Sequence, residues 1–216
     1  IVVIHFTGMD SAEAALERLC DESPPDGLSP VSCHYLISET GQLWQMVDEA
    51  DRAWHAGQGA WGEVSDVNSH SIGIELANTS ATPFSEPQMR VLEQLLADLL
   101  ERWSIPVERV IGHSDMAPHR KFDPGPRFDW RRLALSGLSV WSSAGGSDAI
   151  DAAGFARDLE RIGYRRPDVD DVDAVMLAAF RLRFRPWASG ALMADDCRIA
   201  RDIAERYPVV DEGVAT

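Results

Sequence analysis

The sequence predicts an α/β fold: a mixed central β-sheet flanked by helices, followed by a small C-terminal three-helix domain. Three observations carry this expectation. Over residues 1–135, short β-branched runs and helical patterns follow one another in the order β-α-β-β-β-α-β-α, which favours a mixed sheet covered by helices. A Gly/Ser-rich stretch then interrupts the pattern at 136–148. Beyond it, in 149–216, only helical periodicity appears.

Ile1-Val2-Val3-Ile4-His5-Phe6 is a β-branched apolar run and reads as a buried strand. Asp10 and Ser11 offer caps for a helix over Ala12–Cys20. Residues 21–30 contain Pro24-Pro25-Asp26-Gly27 and read as a loop. Ser32–Ile37 and Gln42–Val47 are β-rich runs joined by Glu39-Thr40-Gly41, a hairpin signal. Gly57–Ser69 is a long polar loop, and such loops are often functional. Ser71–Leu76 is a further strand. Ser85-Glu86-Pro87-Gln88 matches a capping box, and Met89, Leu92, Leu95, Leu96 and Leu99 recur at helical spacing toward Arg102. Arg109–Gly112 is a short strand, His113–Arg127 an irregular loop with three prolines, and Phe128–Leu135 a short helix. Ala149–Ile162, Val172–Phe184 and Ala191–Tyr207 are the three helical patterns of the tail.

The 216 residues are 45% hydrophobic and 25% charged, enough apolar matter for a core without disulfide staples. A net charge of −15 argues against a nucleic-acid partner, which requires a basic face. No apolar run approaches the roughly 18 residues of a membrane span. Cys20, Cys33 and Cys197 form an odd set without metal-binding spacing. Of twenty basic residues only one, Lys121, is lysine. Codon bias explains the arginines; a position that stays lysine marks chemistry suited to a compact ammonium.

Polar chemistry gathers near strand ends. His5 closes the first strand, His113 follows the strand at 109–112, and Asp123 lies ten residues on in Asp123-Pro124-Gly125-Pro126. Two imidazoles and a carboxylate suit a catalytic zinc site with an open position. Each also has a plainer reading, as a hydrogen-bonded core histidine or as a turn aspartate. Glu75 shares a strand face with Gly73, opposite Ile72, Ile74 and Leu76, and fits either a solvated face or a general base. Lys121 and Asp123, two apart, project the same way if the segment is extended.

Five ordered motifs then resemble the zinc-dependent N-acetylmuramoyl-L-alanine amidases, relatives of phage T7-type lysozymes and peptidoglycan recognition proteins. They are Ile4-His5-Phe6-Thr7, the run Val31–Ile37, Arg52-Ala53-Trp54-His55-Ala56-Gly57, the run Asn68–Glu75, and Gly112-His113-Ser114-Asp115 through Lys121-Phe122-Asp123-Pro124-Gly125-Pro126. The resemblance implies one zinc per chain held by His5, His113 and Asp123, with catalytic help from Glu75 and Lys121. It implies hydrolysis of the amide between N-acetylmuramic acid, or its anhydro form, and L-alanine in peptidoglycan or muropeptides. The rival is a non-catalytic muropeptide recognition module; such proteins typically lose a metal ligand, and all three candidates stand here. Cys33 occupies the neighbourhood of a catalytic tyrosine in the recognition branch, which leaves that work to Glu75. His34, His55, His70 and His119 are read mainly as structural, with His34 and His55 as alternative pocket residues.

Leu159–Tyr164 and Ala178–Pro186 resemble the helical repeats of small peptidoglycan-binding domains. The expected organisation is therefore a catalytic domain at 1–135, a flexible linker at 136–148 and a wall-binding module at 149–216. On that view a chain cut after Leu135 keeps its turnover on small muropeptides. The module favours an enzyme of the cell envelope, in the periplasm or at the outer membrane, and the free cysteines favour the alternative, the cytoplasm; a monomer is expected.

Overall fold

The computed structural model describes residues 1–25, 27–144 and 149–209. Asp26 of the expected loop, 145–148 of the expected linker and the end of the tail lie outside the described residues. Strands β1 (Val2–Phe6), β2 (Tyr35–Ile37), β3 (Leu43–Gln45), β4 (Ile72–Leu76) and β5 (Val110–Gly112) form one sheet in the order β3-β2-β4-β1-β5. The β2–β3 pair is antiparallel, as a hairpin requires, and the other three pairs are parallel. The sheet is thus mixed, and helices cover it.

Alternation along β1 decides which side each residue serves. Val2 and Ile4 face one side together with Ile72, Ile74 and Leu76 of β4. Helix α2 (Glu86–Arg102) lies against this face with Met89, Leu92, Leu95, Leu96 and Leu99. Each such buried side chain stabilises by roughly 1.5–3 kcal/mol, well above any propensity term, so the apolar row and not helix preference holds α2. Ser85 caps it by accepting from the backbone N–H of Gln88. The reciprocal half of the expected capping box is not made: the Gln88 amide instead donates to the carbonyls of Ile37 and Ala77, tying α2 to the ends of β2 and β4. Helix α1 (Ala12–Cys20) is capped by Ser11 as its sequence requires.

Helices α3 (His113–Met116) and α4 (Trp130–Leu135) come next along the chain, and the opposite face buries Val3 and Ile111 against Trp61 of the long loop and against the C-terminal helices α5 (Ala152–Ile162), α6 (Val172–Phe184) and α7 (Ala194–Arg206). Phe155, Leu159, Tyr164, Phe180 and Phe184 belong to that same core. The C-terminal helices thus share a core with the sheet. Leu138, Ser139, Val140 and Ser142 of the expected linker are buried, Leu138 in the α2-side core and Val140 in the C-terminal one. The apolar residues at alternate positions turn inward, and a composition rich in Ser and Gly conceals them.

Three buried arginines and two buried aspartates seal the helices. Arg183 of α6 donates to Asp115, to the Val110 carbonyl and to Ser139. The Tyr164 hydroxyl donates to the other Asp115 oxygen at 2.5 Å. Within the helical layer, Arg181 and Arg185 both donate to Asp196, which is fully buried.

Candidate functional site

Register places the site. His5 of β1 stands beside Glu75 of β4, both at the carboxyl ends of parallel strands, where chains leave a sheet and a crevice opens. His113 begins α3 directly after β5; this short helix replaces the loop expected there, with the Gly112 N–H donating to Asp115 at 2.8 Å. Asp123 returns from the segment beyond. Its backbone carbonyl accepts from the Ser114 N–H, which pins it beside His113.

The three side chains converge. His5 Nδ1 lies 2.9 Å from Asp123 Oδ2, His113 Nδ1 lies 3.1 Å from the same oxygen, and the two Nδ1 atoms are 3.0 Å apart. All are buried. The far nitrogen of each ring is already committed. His113 Nε2 donates to the Ala56 carbonyl at 2.8 Å, a bond whose sense is fixed because a carbonyl only accepts. With Nε2 carrying the hydrogen, the metal-binding tautomer of His113 turns a bare Nδ1 toward a carboxylate oxygen. Two acceptors facing one another at this distance call for a cation between them. A tetrahedral zinc, with bonds of about 2.0–2.2 Å, needs ligand atoms about 3.3 Å apart, so the donor set fits it in both chemistry and size.

Electrostatics agree with that donor set. Burial, and then the neighbouring His113 ring, drive His5 down to about 4 against the pull of Asp123, so its imidazole is neutral at physiological pH. Burial works against ionisation of Asp123, but the closeness of the His113 and His5 rings outweighs it and holds the carboxyl well below the usual range. Neutral imidazoles and an ionised carboxylate are the forms that bind metal.

Glu75 and Lys121 line the same cavity of about 450 Å³ as the three converging residues. Glu75 retains some exposure to the cavity, yet its Oε2 is sealed and, among the described residues, has no hydrogen-bond partner. Burial first, then the Asp123 charge, push its carboxyl up to about 8, while Lys121 pulls the other way. Such a group is poised to take and return a proton near neutrality. Lys121 is exposed at the cavity wall, and Phe122 beside it stacks edge-on against Phe6. Cys33 is fully buried and donates to the Tyr35 carbonyl at 3.3 Å. Burial and the Glu75 charge raise its thiol well above the ordinary value, which makes it unreactive.

The remaining histidines divide. His34 is buried away from the cavity, accepting from the Gly73 N–H and donating to the Asp51 carbonyl. His70 and His119 are exposed. His55 lines the cavity and touches His5 directly, with its Nδ1 2.9 Å from His5 Nε2. Burial and the neighbouring imidazoles hold His55 well below the ordinary histidine value. Sequence reasoning also passed over Arg120, whose guanidinium donates to the Ala56 and Gln58 carbonyls and so shares the carbonyl that orients His113. Its one signal was position: Arg120 stands next to the solitary lysine.

Comparison with known proteins leads to the same place. Residues 1–126, more than half of the chain, match the Amidase_2 model, described as N-acetylmuramoyl-L-alanine amidase. N-acetylmuramoyl-L-alanine amidase AmiD of Escherichia coli is 33% identical over 236 aligned residues, which cover 96% of this chain and 83% of that protein. The 1,6-anhydro-N-acetylmuramyl-L-alanine amidase AmpD of Haemophilus influenzae is 40% identical over 49% of this chain, which spans 58% of that protein. A solved complex of E. coli AmiD with the substrate anhydro-N-acetylmuramic acid-L-Ala-D-γ-Glu-L-Lys superposes with a TM-score of 0.85 at 33% identity, over 96% of this chain and 89% of that one. The chain belongs to the N-acetylmuramoyl-L-alanine amidase family.

Proposed function

We propose that this chain hydrolyses the amide between N-acetylmuramic acid, ordinary or anhydro, and the L-alanine of a stem peptide, with one zinc held by His5, His113 and Asp123. The observation that carries the reading is the convergence of those three ligand atoms, all within 4.8 Å of one another, on a cavity also lined by Glu75, whose Oε2 has no hydrogen-bond partner among the described residues. Bound there, zinc supplies acidification of a water toward neutrality and polarisation of a carbonyl oxygen. Glu75 takes a proton from the attacking water and delivers it to the alanine nitrogen as the C–N bond breaks. Lys121 sets its ammonium against the negative charge that develops on the carbonyl oxygen. Ala56 and Arg120 hold the His113 ring in place meanwhile.

The division into a catalytic region at 1–135, a connection at 136–148 and a helical region at 149–216 is likewise our reading, with the helices directed at wall polymer and the enzyme at work in the cell envelope. The resemblance to AmiD over nearly the whole chain, the helical region included, supports a shared organisation beyond the catalytic region.

Digestion of anhydro- and ordinary muropeptides by metal-stripped and zinc-restored protein tests the chemistry. Cleavage at the lactyl–L-alanine amide should vanish on stripping and return with about one zinc per chain. Full turnover after exhaustive chelation would exclude a metal-based reaction.

A further inference from the structure

We propose that His55 is a positioning residue for the metal centre: it fixes the ring tautomer of His5 through a directed chain of hydrogen bonds anchored at Ser71. The inference rests on reading His5 as a zinc ligand, and it deepens that reading.

Direction is set from the far end. The Val67 carbonyl only accepts, and the Ser71 hydroxyl lies 2.5 Å from it, so the one hydroxyl hydrogen is committed there. Ser71 Oγ therefore meets His55 Nε2, 3.2 Å away, as an acceptor, and that nitrogen carries the hydrogen. Neutral His55 is then bare at Nδ1. His5 Nε2, at 2.9 Å, must supply the proton for that bond. What remains on His5 is a lone pair at Nδ1, the atom that faces Asp123 and His113. Each link allows one sense only, and the sum presents the correct nitrogen for a metal.

The surroundings are built for this ring. A Cβ on Gly73 would come within 2.4 Å of the His55 imidazole, so the glycine in β4 makes the slot. Asn68 Oδ1 accepts from the backbone N–H groups of His55 and Ala56 at 3.0 and 2.9 Å, which fixes the loop carrying both second partners of the metal histidines. Partners of metal-bound histidine are usually carboxylates or carbonyls, and losing one typically costs about 10–100-fold in metal affinity. His113 has the usual carbonyl; His5 has an imidazole in its stead.

The test compares the full-length parent with His55→Ala, His55→Gln and Ser71→Ala. Zinc affinity is read by competition with a chromophoric chelator, and geometry from the visible spectrum of the cobalt-loaded proteins. His55→Ala should bind zinc roughly 10–100-fold more weakly and shift the cobalt bands. His55→Gln, whose carbonyl oxygen accepts from His5 and whose amide donates to Ser71, should recover most of the affinity and the parent spectrum. Ser71→Ala, which leaves both rings intact, should weaken zinc by roughly 3–10-fold and keeps the test open if His55→Ala does not fold. Parent-like affinity in His55→Ala or in Ser71→Ala overturns the proposal. So does equal loss in His55→Ala and His55→Gln, which would make the ring mere filling. A parent that takes up no zinc overturns the metal reading itself, and this chain of bonds with it.

Discussion

Glu75 owes its chemistry to opposing influences on one carboxyl. Burial and Asp123 favour the acid, Lys121 favours the carboxylate, and the result lies near neutrality. Glu75→Gln keeps the shape and removes the proton acceptor, so zinc content should be unchanged while kcat falls by about 10²–10⁴-fold. Parent-like turnover in that variant would place the base elsewhere. Lys121→Arg should also be impaired, because a planar fork does not reproduce a compact ammonium; a fully active arginine variant would remove the meaning of the solitary lysine. The sequence singles out His5, His113, Asp123, Glu75 and Lys121, and the fold brings all five to the lining of one cavity. His55 was only half legible. Its part depends on a 2.9 Å approach to His5, fifty residues away, and no local pattern announces such an approach.

At the scale of elements, α6 and α7 share a buried ionic cluster in addition to their apolar contacts. Asp196 accepts from Arg181, from Arg185 and from the Met193 N–H, all inside the helical layer. Burial opposes its ionisation, but the arginine bonds win and hold its carboxyl below the ordinary value. A depressed folded value means that this stability is present above the unfolded carboxyl's pKa of about 4 and is lost as pH falls below it. Removing the carboxylate strands two buried guanidinium groups, so Asp196→Ala should cost about 3–5 kcal/mol. Thermal melts between pH 7 and pH 3 check both points: the parent should lose stability below about pH 5, and the variant should lose less over that range. A variant with the same acid slope as the parent would assign the acid sensitivity to other carboxylates. These helices were legible from spacing alone. The short α3 was not, since its first turn is made by Asp115 bonding back to Gly112 and by tertiary contacts around it.

On the scale of the whole molecule, the helical region props α3, the element that begins with His113. Tyr164 and Arg183 grip both oxygens of Asp115, two residues beyond His113 in α3. Trp61, on the long loop, packs edge-on against Tyr164, and the Gly62 N–H donates to the Gly163 carbonyl. A chain cut after Leu135 bares Val3, Ile111 and Trp61, all fully buried in the intact protein. It should therefore lose turnover on small soluble muropeptides as well as on intact wall, contrary to the expectation from a flexible linker. Retained turnover on the small substrate would restore the independent-unit view. Tyr164→Phe is the milder probe: it leaves a buried Asp115 oxygen unpaired and should cost about 1–3 kcal/mol, a drop in Tm of about 2–4 °C per kcal/mol.

The sequence by itself determined the α/β class, nearly every helix and strand, and the residue types that gather at the strand ends. These depend on local periodicity and on short motifs, which one chain displays without folding. Only the tertiary structure decided that Leu138 and Val140 turn inward, that the C-terminal helices share a core with the sheet, and that His55 and Ser71 back the His5 ring. Those outcomes are set by which surfaces meet, and burial and hydrogen-bond direction between residues 16 to 108 positions apart leave no periodic trace along the chain.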